Sequence, residues 1–284
     1  MKFPAFAYRA PASVDEAVAL LASDPQAKVV AGGQSLLPLL ALRMAQPTLL
    51  VDVSGIEELS FIQPEDGVVK IGAATTLSAV EDSDIVAERL PLLSEAVRNV
   101  AHRPIRNRGT VGGSLAHADP AAELPAVAVA LDATLVARGQ SGERRIDAAA
   151  FFTGPFDTAL RDAEILTSVE LRVREGAWAF LEVARRSGDF ALAMAAVGVA
   201  LDGDTCTAST VVLQGVGPTP VRSEAAEQVL NGSVIADDVA AQAAAAATRD
   251  LHPTGDIHAS SDYRRRVAGT LVRRAALEAR RRAI

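Results

Sequence analysis

Two short stretches constrain this chain more tightly than anything else in it. Residues 29–40 read VVAGGQSLLPLL and residues 109–125 read GTVGGSLAHADPAAELP. Each sets a glycine pair beside apolar residues and follows it with a small hydroxyl residue. Glycine admits left-handed dihedrals and lets another group approach the main chain with no Cβ in the way. A glycine pair at the end of a strand therefore exposes successive backbone N–H groups, which form a concavity suited to an anion. A helix starting there adds its positive end. The hydroxyls of Ser35, Thr110 and Ser114 are further donors to the same oxygens. One such turn is ordinary turn chemistry, but two from separate segments match the two anionic centres of a pyrophosphate. No Gly-x-Gly-x-x-Gly opens a helix here, so the standard dinucleotide fingerprint is absent and another arrangement must hold the ligand.

The rest of the chain removes competing chemistries. It has 284 residues with 49% hydrophobic content, enough for two or three domains with a substantial core. The formal net charge of −7 argues against a nucleic-acid role, and the arginine run in YRRRVAGTLVRRAALEARRR reads as a solvated or subunit-facing helix side. No apolar run reaches membrane-spanning length, and a cytoplasmic location is expected. Cys206 is the single cysteine and the four histidines are scattered, so the chain cannot supply the thiolates of an iron–sulfur cluster or a cysteine-rich zinc site. Nucleophile-elbow, P-loop and His-Glu-x-x-His motifs are missing. Any redox chemistry has to come from an added cofactor.

Periodicity gives the organisation. SVDEAVALLAS has a hydroxyl cap, an acidic first turn and apolar residues at helical spacing; KVVAG and TLLVDVS read as strands, with a helix broken near Pro38 between them. The stretch 59–81 predicts two strands about a turn at Glu65–Gly67 and then a helix cap near Thr76 or Ser78. LPLLSEAVRNVA is a further helix. AVAVALDATLVARG and EILTSVELRV are aliphatic and β-branched, which predicts a β-rich middle third. AFLEVAR, AAVGVALDG and ASTVVLQGVG predict three more strands, followed by helices packed on one face; the run AQAAAAA suits a buried helix. The fold class is α+β. The expected divisions are residues 1–57, a βαβ unit; 58–175, a β-rich unit; and 176–284, a small α+β domain with a three-stranded antiparallel sheet.

With these residues in view, the chain resembles a known family. AGGQSLLPLL and RNRGTVGGSLAHADPAAELP look like the two pyrophosphate-binding segments of the FAD-binding medium subunit of the molybdenum hydroxylases. IGAATTLSAVE, FFTGPFDTALRDAEILTSVEL, ARRSGDFALAMAAVGVAL, GVGPTPVRSEAAEQVLNG and YRRRVAGTLVRRAAL follow in order along nearly the whole chain. The resemblance implies an FAD extended between the first two units. Ala31, Gly32, Gly33, Gln34 and Ser35 would form the first phosphate loop, and Thr110, Gly112, Gly113 and Ser114 the second. It implies that Asp119 and Glu123 lie beside the FAD, accepting hydrogen bonds from ribose hydroxyls or the adenine amine. Val100 and Leu166 would make apolar contacts, and Asp189 and Phe190 would lie near the flavin ring.

Two departures from the family pattern are visible: Ser114 stands where asparagine is commoner, and Glu123 where aspartate is. The resemblance further implies a large partner subunit holding molybdopterin and a small one holding two [2Fe–2S] clusters, assembled as a dimer of heterotrimers. Electrons would pass from the clusters through FAD to an external acceptor. The competing readings are a stand-alone flavoprotein reductase, for which no hydride-donor fingerprint is visible, and a flavin-free scaffold that uses its glycines only for packing.

Overall fold

The computed structural model describes residues 2–284. The chain opens with β1 (Ala7–Arg9), α1 (Val14–Ser23), β2 (Lys28–Val30), α2 (Leu36–Ala41) and β3 (Leu49–Asp52), whose strands form a parallel sheet in the order β1-β3-β2. Helix α1 starts where its cap predicts: Ser13 Oγ accepts the Glu16 N–H at 3.2 Å, and the Glu16 carboxylate reaches back to the Ala12 N–H at 2.9 Å. Its apolar stripe of Val14, Ala17, Val18 and Leu21 buries against Leu49 and Val51 of β3. Pro38 does not break α2. It lies in the first turn, where a missing N–H forfeits no intrahelical bond.

The middle of the chain runs β4 (Ile62–Glu65), β5 (Val68–Gly72), α3 (Leu77–Glu81), α4 (Asp84–Arg89), α5 (Pro91–Val97), α6 (Arg103–Arg106), α7 (Val111–His117) and α8 (Glu123–Ala130). It continues through β6 (Thr134–Gly139), β7 (Gly142–Asp147), α9 (Ala148–Phe151), a small hairpin of β8 (Phe152–Gly154) and β9 (Asp157–Thr158), and β10 (Ile165–Arg172). Five of these strands make an antiparallel sheet, β4-β5-β10-β6-β7. The expected hairpin about Glu65–Gly67 is present, and Thr76 caps α3. AVAVA, whose composition predicts strand, is instead the second half of α8. Every residue of that helix is buried. A helix enclosed on all sides has no polar face to mark its period, so composition alone does not tell it from a buried strand.

The last third holds β11 (Ala177–Ala184), β12 (Ala191–Asp202), β13 (Thr205–Gln214) and β14 (Val221–Arg222) in one antiparallel sheet, then α10 (Glu224–Leu230), α11 (Asp237–Thr248) and α12 (Ser261–Ala283). Three long strands match expectation, and the two-residue β14 extends them. The sheet is covered on both faces rather than one. Ala179, Ala193, Ala195, Val197, Val211 and Leu213 face a core with residues of α10, α11 and α12. Trp178, Phe180, Met194, Ala196 and Val212 join the main core, which includes Leu93 of α5 and Leu124 and Val127 of α8. Strand alternation distributes the two sets. Helix α5 also fastens the sheet by hydrogen bonds: Glu95 accepts the Phe180 N–H at 3.0 Å and two guanidinium bonds from Arg282 of α12, at 2.8 and 3.0 Å.

Candidate functional site

The first glycine segment is the turn between β2 and α2. Gly33 has φ +72°, a left-handed conformation that glycine holds without strain. The backbone N–H groups of Gly32, Gly33, Gln34 and Ser35 find no acceptor among the described residues. Ser35 stands at the N-cap of α2, yet its hydroxyl makes no capping bond and is exposed. Gln34 Nε2 donates to the Gly32 carbonyl at 2.9 Å and stiffens the turn. A row of unpartnered amides with a free hydroxyl beside it is a cradle for phosphate oxygens.

The second segment behaves differently. Thr110 caps α7, its Oγ1 accepting the Gly113 N–H at 3.0 Å. The Val111 N–H donates to Thr75 O, Gly112 to Ala73 O and Ser114 to Thr110 O, at 3.0, 2.9 and 3.0 Å. The four amides from Val111 to Ser114 are thus engaged within the protein, and this segment is a wall rather than a second nest. Its glycines serve close approach. A Cβ on Gly112 would lie 2.8 Å from the Ala73 Cα, inside the contact limit. Gly32 serves the same end from the other side, since a Cβ there would sit on the Arg108 carbonyl, 2.8 Å from the Gly109 Cα. The two segments therefore abut main chain to main chain. Gly113 is exposed, and the nearest atom of the first loop to a Cβ built on it is that of Ala31, at 4.0 Å.

Helix α7 buries Val111, Gly112 and Leu115 and leaves Gly113, Ser114 and His117 on its open side, three or four residues apart. The His117 ring packs against Phe156 at a tilt of 48°, centroids 5.0 Å apart, and burial holds its imidazole pKa below the ordinary value. Past the α7 C-terminus, Asp119 makes a side-chain turn, Oδ1 accepting the Ala121 N–H at 2.8 Å. Glu123 follows at the start of α8, only 5% exposed. Burial pushes its carboxyl up to about 8, with added repulsion from Glu182 and Asp119.

Val100 is half-buried against the main core, in a loop whose carbonyls are gripped by Arg106. That buried guanidinium donates to Val100 O at 2.9 Å and Ala101 O at 3.0 Å, and to both oxygens of Glu81. Leu166 is a core residue of β10. Asp189 and Phe190 are exposed on the β11–β12 loop, whose Gly188 lies directly against the His102 ring, so the loop reaches the Val100–His102 segment.

Sequence reasoning passed over Arg106, His117, Glu182 and Gln214. His117 was findable, four residues after Gly113 on one helix face. Arg106 sits in a polar run with no periodic signal. Glu182 and Gln214 carry strand periodicity, but nothing in one sequence says that their face meets a second domain.

A family model described as the FAD binding domain in molybdopterin dehydrogenase matches residues 4–171, and one described as the CO dehydrogenase flavoprotein C-terminal domain matches residues 178–279. The nicotine 6-hydroxylase medium subunit of Paenarthrobacter nicotinovorans is 39% identical over 98% of this chain and 99% of its own length. The carbon monoxide dehydrogenase medium chain of Hydrogenophaga pseudoflava is 40% identical over 96% of each. Among solved structures, quinoline 2-oxidoreductase from Pseudomonas putida 86 matches with a TM-score of 0.98 at 43% identity, covering 100% of this chain and 99% of that one. The fold and these matches define an FAD-binding oxidoreductase subunit of a multi-subunit complex. Within that class, the chain belongs to the medium subunits of the molybdenum hydroxylases.

Proposed function

We propose that this subunit takes electrons one at a time from [2Fe–2S] clusters in a small partner subunit and passes them through FAD to an external acceptor. A large partner subunit would hold the molybdopterin and hydroxylate the substrate, the whole forming a dimer of heterotrimers in the cytoplasm. The open amide row from Gly32 to Ser35 carries this reading, because it offers an anion four donors that nothing else among the described residues uses. The residues fit the cofactor. Ala31 to Ser35 would hold the pyrophosphate, with Gly113 and Ser114 as the facing wall, Thr110 fixing the first turn of α7 and Gly112 setting its distance from β5. Asp119, Glu123, Val100, Asp189 and Phe190 would line the flanks, with Leu166 packed behind.

FAD supplies the electron chemistry when bound; the chain's own groups bind it, orient it and set the local charge. With a single cysteine the chain cannot ligate a cluster itself, so its electrons must come from outside. Its relatives bear names for nicotine, carbon monoxide and quinoline chemistry, three unlike substrates. A step common to all three, electron transfer, suits a subunit this similar across them, and substrate choice then lies with the large subunit. The test is reconstitution. The purified chain with FAD should emerge yellow after desalting, and Gly33→Val should emerge colourless because valine is strained at φ +72° and puts a branched side chain in the loop. A colourless wild-type protein would refute the assignment.

A further inference from the structure

The parallel sheet β1-β3-β2 is fully covered on one face only. Leu49 and Val51 of β3 turn toward α1 and are buried there. On the opposite face Val30 and Leu50 meet α2, whose six residues LLPLLA carry no charge and bury only Leu40 completely. A helix about 10 Å wide covers two strands spaced about 4.8 Å apart, and α2 lies over β2 and β3. Beyond it, on β1, Tyr8 pairs with Leu50 and so shares this face, 51% exposed. The chain entering β1 adds Phe3, also exposed, its ring centroid 6.4 Å from that of Phe6. Arg43 follows α2 and donates to the Lys2 carbonyl at 3.4 Å, which brings the N-terminal segment alongside the helix end and its exposed Leu42 and Met44. Parallel sheets are ordinarily covered on both faces, and a helix apolar all round is ordinarily buried. Within this chain neither condition is met.

We propose that this face, made of α2, the segment before β1 and Tyr8, is the seat of another subunit of the complex, and that the partner presents an apolar surface rimmed with carboxylates. This rests on the chain's place among the medium subunits of multi-subunit enzymes. The charges give the partner's chemistry. Residues 1–12 and 32–51 contain Lys2, Arg9 and Arg43 but no Asp or Glu, in a chain whose net charge is −7. Asp52 and Asp24 beside them accept the Tyr8 and Thr48 hydroxyls at 2.6 and 2.5 Å. A second copy of this chain fits poorly. In a two-fold dimer the face would meet itself, and its cations would find no acidic residue from either segment opposite them. A lipid surface fits poorly too. Recruitment by anionic headgroups takes roughly four to eight clustered Lys or Arg, and an interfacial helix needs a charged face, which α2 lacks. A protein surface of opposite charge matches both the apolar area and the cationic rim. Because α2 starts at the open amide row, this seat is contiguous with it.

The test compares the full chain alone with the complex formed when it is co-expressed with its partner subunits. Hydrogen–deuterium exchange across residues 2–12 and 36–46 should slow by roughly tenfold or more on assembly. The L42E/M44E chain changes two exposed side chains, so its urea midpoint should match the wild type while its partners bind roughly tenfold or more weakly. R43E should also weaken assembly, and R43K should restore most of it. An assembled complex in which those two stretches exchange as fast as in the free chain overturns the proposal whether or not any variant folds, and leaves the electron-transfer reading standing. An L42E/M44E chain that assembles like the wild type overturns it as well. A wild-type self-dimer lost in L42E/M44E would give the face to a second copy, and binding to phosphatidylcholine–phosphatidylserine vesicles lost in that variant would give it to lipid; either refutes the proposal. A wild-type chain that joins no complex at all removes the proposal and the multi-subunit reading together.

Discussion

Gly32 and Gly113 look interchangeable in sequence and are opposite in structure. Gly32 is pressed against the Arg108–Gly109 main chain, whereas Gly113 is exposed and its one close neighbour is the Thr110 hydroxyl, 2.7 Å from where its Cβ would stand, with the Ala31 Cβ at 4.0 Å. Gly32→Ala should therefore separate the two segments, lowering the urea midpoint and losing FAD together. Gly113→Ala should cost about 1 kcal/mol, the value of a displaced cap, and weaken FAD binding without unfolding the chain. Urea titration beside flavin retention separates the two effects. Glu123 makes a further prediction, for the flavin-free chain. Its carboxyl ionises near 4.5 when exposed and near 8 in the fold, so between those values the folded state holds a proton that the unfolded state has released. Stability then declines as pH rises through that window, by up to about 1.4 kcal/mol per pH unit for one such proton, and levels off above it. Glu123→Gln should flatten the slope of urea midpoint against pH; an unchanged slope would put the proton elsewhere.

At the scale of elements, much of the architecture was legible. The caps of α1 and α3, the hairpin at Glu65–Gly67 and the three long strands of the last third announce themselves by turn residues and period. Helix α8 did not, because burial on every side erased its polar face. The open amide row was half legible: both glycine pairs suggested exposed amides, but which of them stay free depends on Thr75 and Ala73, acceptors more than 30 positions from the second pair. Contacts between elements follow the same logic. Glu95 of α5 satisfies a strand amide and a guanidinium at once. Glu95→Ala leaves the Phe180 N–H without an acceptor, while Arg282 keeps Glu278 and the Trp178 carbonyl, and should cost about 1–3 kcal/mol, read as a lower urea midpoint at unchanged slope. Glu95→Gln, which keeps an acceptor for the Phe180 N–H, should recover part of the loss.

For the whole molecule, FAD acts as a structural ligand as well as a redox one. Bound only by the folded state, it should stabilise by about 2.7 kcal/mol when present at a hundred times its Kd, and by less as it is diluted. Thermal melts across an FAD series test this; a melting temperature indifferent to FAD would contradict the site. A last consequence follows from the sheet β11–β14 being covered on both faces. The ribosome makes residues 1–172 first, and they carry the surface of α5 and α8 on which Trp178, Phe180, Met194 and Val212 come to rest. The earlier-made portion is thus the mould for the later one. Released on its own, the C-terminal segment would present those side chains to water and self-associate, and co-expression with the N-terminal portion should restore it to solution.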